Sequence, residues 1–388
     1  MTQPHVVVIG GGSTGCACAH DLALRGFQVT LVERGELASA TTGRCSCFLH
    51  SGARYSVKDQ ESARECIEEN QIMRRILPPY TMEENDGVFI LIDGDDPAYG
   101  DAFFDGCAQC GIRAREISPD ALRRREPNLT PAVRRAAIIP DAVVEALRFA
   151  LAFAATARLN GARFLRFTEV KELLIQGQRV AGVRVQDRLT NQSYDIAADL
   201  VVNAAGPWAD KLAALAGIEI ALSLSPGVHV MVPTRLCNLL VNRMRSPGSG
   251  DFVCPQRNHS ILGTSSWTVH DCDYLYIPQD HVEQMIASTS ELIPAIAWQP
   301  IHSINAATRP LLGRPGASER ELSRTFQCFD HAGRDNVEGF VTIAGGKMAT
   351  ARIMAEKISD LVCQKLGVMA ACQTRTFPLA SYRRLYTG

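Results

Sequence analysis

The sequence predicts a mixed α/β fold, in which a Rossmann-like nucleotide-binding domain is interrupted by a second domain. Three observations predict this class. The chain has 388 residues, enough for two domains. A β-branched strand over His5–Ile9 runs directly into a glycine-rich turn. Two further apolar strands, one ending at Gly206 and one at Gly346, also finish in glycine. Because these strands lie far apart in the chain, we expect one sheet assembled from separated segments.

The N-terminal segment has a complete βαβ pattern. The first strand is followed by Gly10-Gly11-Gly12-Ser13-Thr14-Gly15, a helix predicted over 16–26 and a second strand over 28–32. Gly10 permits the tight turn, Gly12 lets the backbone approach a pyrophosphate, and Gly15 allows close packing of helix on strand. Glu33 closes the second strand, where a carboxylate accepts hydrogen bonds from ribose hydroxyls and disfavours a 2′-phosphate. This context predicts an adenine dinucleotide ligand.

The rest of the chain supplies the remaining elements. Strands are predicted at 87–92, 179–185, 200–206, 228–232, 260–263 and 341–346, and long helices at 142–160 and 349–366. We assign residues 1–75, 140–215 and 321–373 to the nucleotide-binding domain, residues 76–139 and 216–320 to the inserted domain, and residues 374–388 to a C-terminal tail.

Composition restricts the classes of function. The formal net charge of −1 argues against a nucleic-acid surface built on bulk charge. The N-terminus has no charged region or cleavage site typical of a signal peptide, and no window reaches the roughly 18 apolar residues of a membrane span. Thirteen cysteines, an odd number, suggest free thiols in a reducing cytoplasm. Their spacing shows no convincing four-ligand set, so no metal is expected.

Several motifs beyond the fingerprint resemble those of one family. They are Ala23-Leu-Arg-Gly26, Leu31-Val-Glu-Arg34, Ala40-Thr-Thr-Gly-Arg44, Leu49-His-Ser-Gly-Ala-Arg-Tyr55, Glu61-Ser-Ala-Arg-Glu-Cys-Ile67, Val201-Val-Asn-Ala-Ala-Gly-Pro-Trp208, Thr308-Arg-Pro-Leu311, Asp330-His331 and Gly345-Gly-Lys347. From about Val6 to Cys372 the chain resembles the flavin-dependent glycerol-3-phosphate dehydrogenases, most nearly the large subunit of the anaerobic respiratory enzyme. A nicotinamide dehydrogenase fits the fingerprint but not the other motifs.

The resemblance implies a fold, a cofactor and a reaction. The fold is a glutathione-reductase-type FAD-binding domain with an inserted antiparallel-sheet substrate domain, and the cofactor is FAD. The reaction is oxidation of sn-glycerol 3-phosphate to dihydroxyacetone phosphate by hydride transfer to flavin N5. Two alternatives stay open. One is a related flavoenzyme acting on another polyol phosphate or a 2-hydroxy acid. The other is a flavin-binding subunit that is active only with electron-transfer partners.

The resemblance also implies site residues. Arg54, Arg309 and Lys347 are expected to bind the substrate phosphate, since guanidinium forks suit bidentate phosphate contact, and Tyr55 is expected to line the same pocket. His50, His229 and Arg309 are the candidate catalytic residues, with a histidine taking the hydroxyl proton. The residues expected to contact the cofactor are Gly10, Gly12, Ser13, Thr14, Gly15, Glu33, Arg34, Thr42, Gly43, Ser46, Ala205, Gly206, Trp208, Gly345, Gly346, Lys347 and Met348.

The sequence departs from the family pattern at three places. Where the family has Asn-His-Gly, this chain has Cys45-Ser46-Cys47, and Pro226 replaces a lysine. The chain also ends at Gly388 without the family's cysteine-rich C-terminal module. We therefore expect electrons to leave FAD through partner subunits, a quinone or oxygen, and these three routes stay open. The basic, aromatic tail 382–386 could touch a membrane, so a peripheral location at the inner face of the cell membrane is an added expectation.

Overall fold

The computed structural model describes residues 3–313 and 325–387. Its helices are separated by strands along the whole chain, as expected for a mixed α/β protein. They are α1 (Ser13–Leu24), α2 (Gln60–Ile76), α3 (Pro97–Gln109), α4 (Pro119–Arg125), α5 (Ala146–Leu159), α6 (Ala209–Ala214), α7 (Gln279–Ser290), α8 (His331–Asp335) and α9 (Ala351–Leu366).

The strands form four sheets of six, three, eight and three strands among the described residues. In chain order they are β1 (His5–Ile9), β2 (Gln28–Val32), β3 (Phe48–Leu49), β4 (Met82–Glu83), β5 (Gly87–Ile92), β6 (Arg115–Ile117), β7 (Val133–Ile139), β8 (Ala142–Val144), β9 (Arg163–Leu165), β10 (Thr168–Gln176), β11 (Arg179–Asp187), β12 (Ser193–Ala197), β13 (Leu200–Asn203), β14 (Leu222–Val232), β15 (Leu240–Arg243), β16 (Phe252–Gln256), β17 (His259–Gly263), β18 (Ser303–Leu312), β19 (Phe326–Asp330) and β20 (Phe340–Gly345).

The six-stranded sheet contains the predicted βαβ unit. Its order is β19-β20-β13-β1-β2-β9, and every neighbouring pair except β19 with β20 is parallel. Val6, Val7 and Val8 of β1 have no exposed surface, because this central strand is covered on both faces. Parallel order brings the carboxyl ends of β1, β13 and β20 to one edge of the sheet, so the glycine-containing turns that follow them meet there. The three glycine-ended strands of the prediction are therefore neighbours in one sheet.

The eight-stranded sheet is the inserted, mainly antiparallel sheet that the sequence predicts. Its order is β18-β14-β17-β16-β15-β5-β7-β6, with β15 and β5 as the parallel pair. The long strands β14 and β18 pair over ten positions, from Leu222 opposite Leu312 to Met231 opposite Ser303. This pairing places His229 and Arg309 in one sheet. The domain boundaries given above remain a proposal, and the predicted boundary at 320/321 lies outside the described residues.

The segment 142–160 is not one helix, and that prediction is wrong over residues 142–145. Ala142–Val144 is strand β8, which pairs with β3 and β4, and α5 begins only at Ala146. The cause is tertiary. Val143 and Val144 are β-branched and fully buried between two short strands, and this packing overrides the helical pattern that continues after them.

The C-terminal tail packs on the nucleotide-binding sheet's helices. Leu379 and Leu385 belong to the main apolar core, and the Leu379 amide donates to the Ile76 carbonyl over 2.8 Å. The Tyr382 ring contacts the Tyr80 ring at 6.2 Å between centroids. Much of the tail is thus used inside the fold, and its contact with a membrane stays a prediction.

Candidate active site

One large cavity of about 1590 Å³ lies between the two large sheets. Its walls come from the carboxyl-end turns of the six-stranded sheet and from strands β5, β14, β16 and β18 of the eight-stranded sheet. A cavity at the carboxyl ends of parallel strands, between two domains, is the usual position of a nucleotide or substrate site.

The glycine-rich turn after β1 forms one end of the cavity. Gly10 has a φ of +107°, and a Cβ built there would lie 2.6 Å from the Ala204 carbonyl oxygen. A Cβ at Gly15 would lie 1.9 Å from the Gly10 carbonyl oxygen. No larger residue fits either position without moving backbone. The amide of Ser13, at the start of α1, points towards the same end and donates to Thr42 Oγ1 over 3.0 Å. The N-terminus of α1 therefore directs its amides and partial positive charge at this part of the cavity.

Glu33 lies at the end of β2, beside this turn. Its two carboxylate oxygens accept from the amides of Gly11 and Gly35 over 2.7 and 2.8 Å. These bonds fix the carboxylate at the cavity wall. Each oxygen has further acceptor capacity, so the held carboxylate can still receive ribose hydroxyls.

Four charged and aromatic side chains connect the two sheets at this nucleotide end. Asp273, on the segment after β17, accepts from Trp208 Nε1 at 2.6 Å, Lys211 Nζ at 2.9 Å and Arg34 Nη2 at 3.1 Å. The Arg34 guanidinium lies over the Trp208 ring at 4.1 Å. Partial burial of Asp273 acts to raise its pKa. The three donors outweigh this effect and lower the pKa of Asp273 to about 2. We call Arg34, Trp208, Lys211 and Asp273 the clasp.

The opposite end of the cavity carries cations. Arg54 Nη2 donates to the buried carboxylate of Asp251 over 2.8 Å and to the Gly248 carbonyl over 3.2 Å. Arg245 also donates to Asp251, over 2.9 Å. Within the described ranges, the structure shows no acceptor for Arg54 Nε or Nη1. Asp251 thus holds one edge of the Arg54 fork while the other edge keeps its donors for a ligand.

Arg309 lies on β18, directly opposite Ser225 of β14. Its guanidinium donates to Thr264 Oγ1 over 3.1 Å and to the carbonyls of Ser225 and Ser265 over 3.3 Å each. These acceptors are uncharged, and they fix the guanidinium in the cavity wall. Lys347 follows the Gly345-Gly346 turn, with Nζ 3.4 Å from Ser62 Oγ and 5.4 Å from the Tyr55 ring centroid.

Two neutral imidazoles line the cavity. Burial, with the positive charges of Lys347 and Arg54, lowers the pKa of His50 to about 3. Burial, with the positive charge of Arg309, lowers the pKa of His229 to about 3. His229 Nε2 is 2.9 Å from Ser46 Oγ, and the His50 ring meets the Tyr55 ring edge-on at 5.6 Å. Both rings are unprotonated at neutral pH and can accept a proton.

The structure brings nearly all predicted site residues to this cavity. All of them line it except Gly15 and Gly43, whose missing side chains instead allow close backbone contacts with Gly10 and Ala38. Asp251 and Asp273 were not predicted. Asp251 lies 197 residues from the arginine it holds, and no local pattern marks either carboxylate.

The fold and this cavity are those of an α/β protein that binds a nucleotide at the carboxyl ends of its parallel strands. Residues 5–359 match the model of the FAD dependent oxidoreductase (DAO) family, and the chain belongs to this family.

Relatives of known name agree with that assignment. The chain is 41% identical to a subunit of the anaerobic glycerol-3-phosphate dehydrogenase of Haloferax volcanii, covering 97% of this chain and 66% of the relative. It is 38% identical to the corresponding subunit from Escherichia coli, covering 96% and 69%. The chain thus spans about two thirds of the length of these curated relatives.

Solved structures of two glycerophosphate enzymes share the fold. The FAD complex of glycerol-3-phosphate dehydrogenase from Bacillus halodurans superposes with a TM-score of 0.75 at 24% identity, covering 97% of this chain and 68% of that one. The FAD-bound L-α-glycerophosphate oxidase of Mycoplasma pneumoniae gives a TM-score of 0.77 at 18% identity, covering 98% and 100%.

The residues present fit FAD. Gly10 and Gly15 leave a close backbone cradle that a Cβ would fill, α1 presents its N-terminus, and Glu33 supplies a fixed acceptor. The cavity continues past this cradle to the cationic end, where the two imidazoles line it. In the part of the chain that the structure describes, no cluster of three or more His, Cys, Asp or Glu could hold a metal ion, and no helix has the length and apolarity to cross a bilayer.

Proposed function

We propose that the chain oxidises sn-glycerol 3-phosphate to dihydroxyacetone phosphate with FAD. The observation that carries the proposal is one cavity with a dinucleotide cradle at one end and Arg54, Arg309 and Lys347 at the other. The names of the relatives support the same substrate.

The three cations are proposed to bind the phosphate group. Arg54 offers the edge of its fork that faces away from Asp251, and Arg309 offers a guanidinium that uncharged acceptors hold in the cavity wall. Lys347 adds a point charge beside Tyr55. Converging cations hold a phosphate dianion in one position. Binding of the phosphate therefore places the carbinol carbon of the substrate at a fixed distance from the cationic end of the cavity.

A histidine is proposed to take the hydroxyl proton. When bound, FAD supplies the acceptor for the hydride that leaves the carbinol carbon. The cations that depress the pKa of His50 and His229 are those that the phosphate would neutralise. Burial is the larger cause of both lowered pKa values and stays when the substrate binds, so substrate binding is expected to remove only the part of the lowering that the cations cause.

The experiment is anaerobic mixing of the FAD-loaded protein with sn-glycerol 3-phosphate, glycerol or L-2-hydroxyglutarate, followed by visible flavin absorbance. Rapid bleaching by the phosphate alone is expected. Bleaching by the hydroxy acid instead would favour the alternative substrate class, and a flavin that stays oxidised with all three would contradict the proposal.

Variants test the assignment of roles. Arg309→Lys keeps the charge but loses the fork, and we expect a half-saturating concentration of substrate at least tenfold higher, with Arg184→Lys on the exposed face of β11 as the matched control. His50→Asn and His229→Asn are compared for the rate of bleaching at saturating substrate. The variant that loses more than a hundredfold identifies the base.

For partner subunits and cellular location we propose only the general class. The relatives are named as subunits of a larger enzyme, which supports transfer of electrons from this chain to partner subunits. Cytoplasmic location, with contact at the inner face of the membrane through those partners, remains part of the proposal. Purification of the chain from cells that express it at its native level tests this proposal, because partner subunits should co-purify with it.

A further inference from the structure

Two thiols lie together in the wall of the active-site cavity. Cys45 and Cys47 are separated only by Ser46, are both half-buried, and form no disulfide in this structure. Cys45 lines the cavity, and its Sγ contacts Sδ of Met348, the residue after Lys347, at 3.6 Å. Neither thiol has a role in the proposed oxidation of the substrate.

The backbone turns the second thiol towards the first. Cys47 has a φ of +61°, in the left-handed region that non-glycine residues rarely adopt, and its Sγ lies 3.6 Å from the Cys45 carbonyl oxygen. Its own carbonyl is fixed by the Val144 amide at 2.8 Å. Strained backbone of this kind is retained where the surrounding structure imposes it, and here it turns the Cys47 side chain back onto the Cys45 backbone.

The two thiols also affect each other's ionisation. Interaction with the Cys47 thiol lowers the pKa of Cys45, while the Cys45 thiol and burial raise the pKa of Cys47. Cys45 is thus the thiol that ionises first and attacks, and Cys47 is the one that stays protonated. Since no metal-binding cluster exists among the described residues, a structural metal does not explain the pair.

We propose that Cys45 and Cys47 are a redox-active dithiol–disulfide pair that passes electrons from the reduced cofactor to a small external disulfide. For its source of electrons this inference rests on the proposed function. The cavity that admits the substrate also gives the external disulfide access to Cys45.

The steps balance. In the first, the Cys45–Cys47 bond breaks and the two sulfurs take up two electrons from the reduced cofactor together with two protons, giving two thiols. In the second, the Cys45 thiolate attacks the external disulfide, forms a mixed disulfide and releases one thiol. Cys47 then attacks Cys45, restores the internal disulfide and releases the second thiol. The external disulfide is reduced by two electrons, and the substrate is the net donor.

The first test is chemical and needs neither substrate nor activity. The protein is treated with diamide and digested with trypsin, which releases the peptide Cys45–Arg54 containing these two cysteines. We expect a mass lower by two hydrogens. The peptide that carries Cys107 and Cys110 is the internal control, because these thiols lie at α3 away from the cavity. An unchanged Cys45–Arg54 peptide would overturn the proposal.

The second test counts electrons. Anaerobic dithionite titration of the oxidised FAD-loaded protein is expected to consume four electrons per FAD, against two for Cys47→Ser. The disulfide of the FAD-free protein should persist under the same conditions, because its reduction passes through the cofactor. The inference would be contradicted if wild type and Cys47→Ser each took up two electrons per FAD. It would also be contradicted if dithionite reduced the disulfide equally well in the FAD-free protein.

The third test separates this inference from the proposed function. With sn-glycerol 3-phosphate as the reductant, the oxidised protein should consume two equivalents per FAD and Cys47→Ser one. If dithionite delivers four electrons while the phosphate bleaches nothing, the proposed substrate is wrong and the redox pair stands. With bis(2-hydroxyethyl) disulfide as oxidant, the wild type should release thiol in steady state, and Cys47→Ser should lose at least tenfold of this rate. Equal rates would refute the exchange step.

Discussion

His20 provides a test of the structure that is independent of catalysis. It lies in α1 with its side chain fully buried, between the rings of Phe153 and Phe377, each 5.8 Å away between centroids. Neither ring nitrogen has a hydrogen-bond partner among the described residues. Burial lowers the pKa of His20 from 6.5 to about 3. The folded protein therefore holds this imidazole neutral where the unfolded chain would protonate it.

The sign and size of the effect follow from proton linkage. A group with a lowered folded pKa binds its proton more readily in the unfolded chain, so stability is lost as pH falls from about 6.5 towards 3. At pH 5 the unfolded chain gains about 2 kcal/mol from protonating one such histidine. His50 and His229 have the same lowered pKa and add to the loss.

The perturbation is His20→Leu, measured by urea unfolding of wild type and variant at pH 8, 6 and 5. The variant should gain about 2 kcal/mol relative to wild type between pH 8 and pH 5, because leucine cannot take the proton. Subtracting the free energy of unfolding of wild type from that of the variant removes the contribution of carboxyl groups with a raised pKa. Asp141, with a pKa of about 6, is one such group, and its effect on the pH dependence of stability has the opposite sign. The exposed His270, changed to leucine, is the control. A difference that does not change with pH would refute the buried, unpartnered state of His20.

Three further predictions concern the site. Asp273→Asn should release FAD about tenfold faster at low ionic strength, with a smaller difference at high salt. The substitution weakens the bonds by which Asp273 holds Trp208 and Lys211 at the nucleotide end of the cavity. A fluorescence assay of free FAD measures the rate of release. Gly15→Ala should yield protein with little bound FAD and at least 1–3 kcal/mol less stable, since its Cβ would overlap the Gly10 carbonyl; absorbance and urea unfolding decide. Asp251→Asn should raise the half-saturating concentration of sn-glycerol 3-phosphate by about tenfold with a smaller change in the maximal bleaching rate, because Arg54 loses the carboxylate that orients it; equal effects on both would point to general damage instead.

The sequence predicts the nucleotide-binding half well because its signals are local. The spacing of Gly10, Gly12 and Gly15 between two apolar strands specifies a turn, a helix start and a sheet neighbour within one short segment. Apolar strands ending in glycine identify β13 and β20 in the same way, and both pair where the prediction requires. The helix prediction fails at Ala142–Val144, where pairing with distant strands decides the structure.

The candidate site could be predicted only in part. Residues in continuous motifs, such as Arg54 and Lys347, were found through resemblance, and the structure places them around one cavity. Asp251 and Asp273 were missed because their contacts with Arg54 and Arg34 join segments that are 197 and 239 residues apart. The proximity of the thiols was visible in the Cys45-Ser46-Cys47 spacing, whereas the contact with Met348 required the fold.

The most direct test of the central claim is a single-turnover product measurement. FAD-loaded protein, reduced at its thiols beforehand, is mixed anaerobically with excess sn-glycerol 3-phosphate deuterated at C2, and both flavin bleaching and dihydroxyacetone phosphate are followed. The account predicts one dihydroxyacetone phosphate per FAD bleached and bleaching several-fold slower than with unlabelled substrate, because the hydride leaves C2. Bleaching without that product, or product without bleaching, would contradict it.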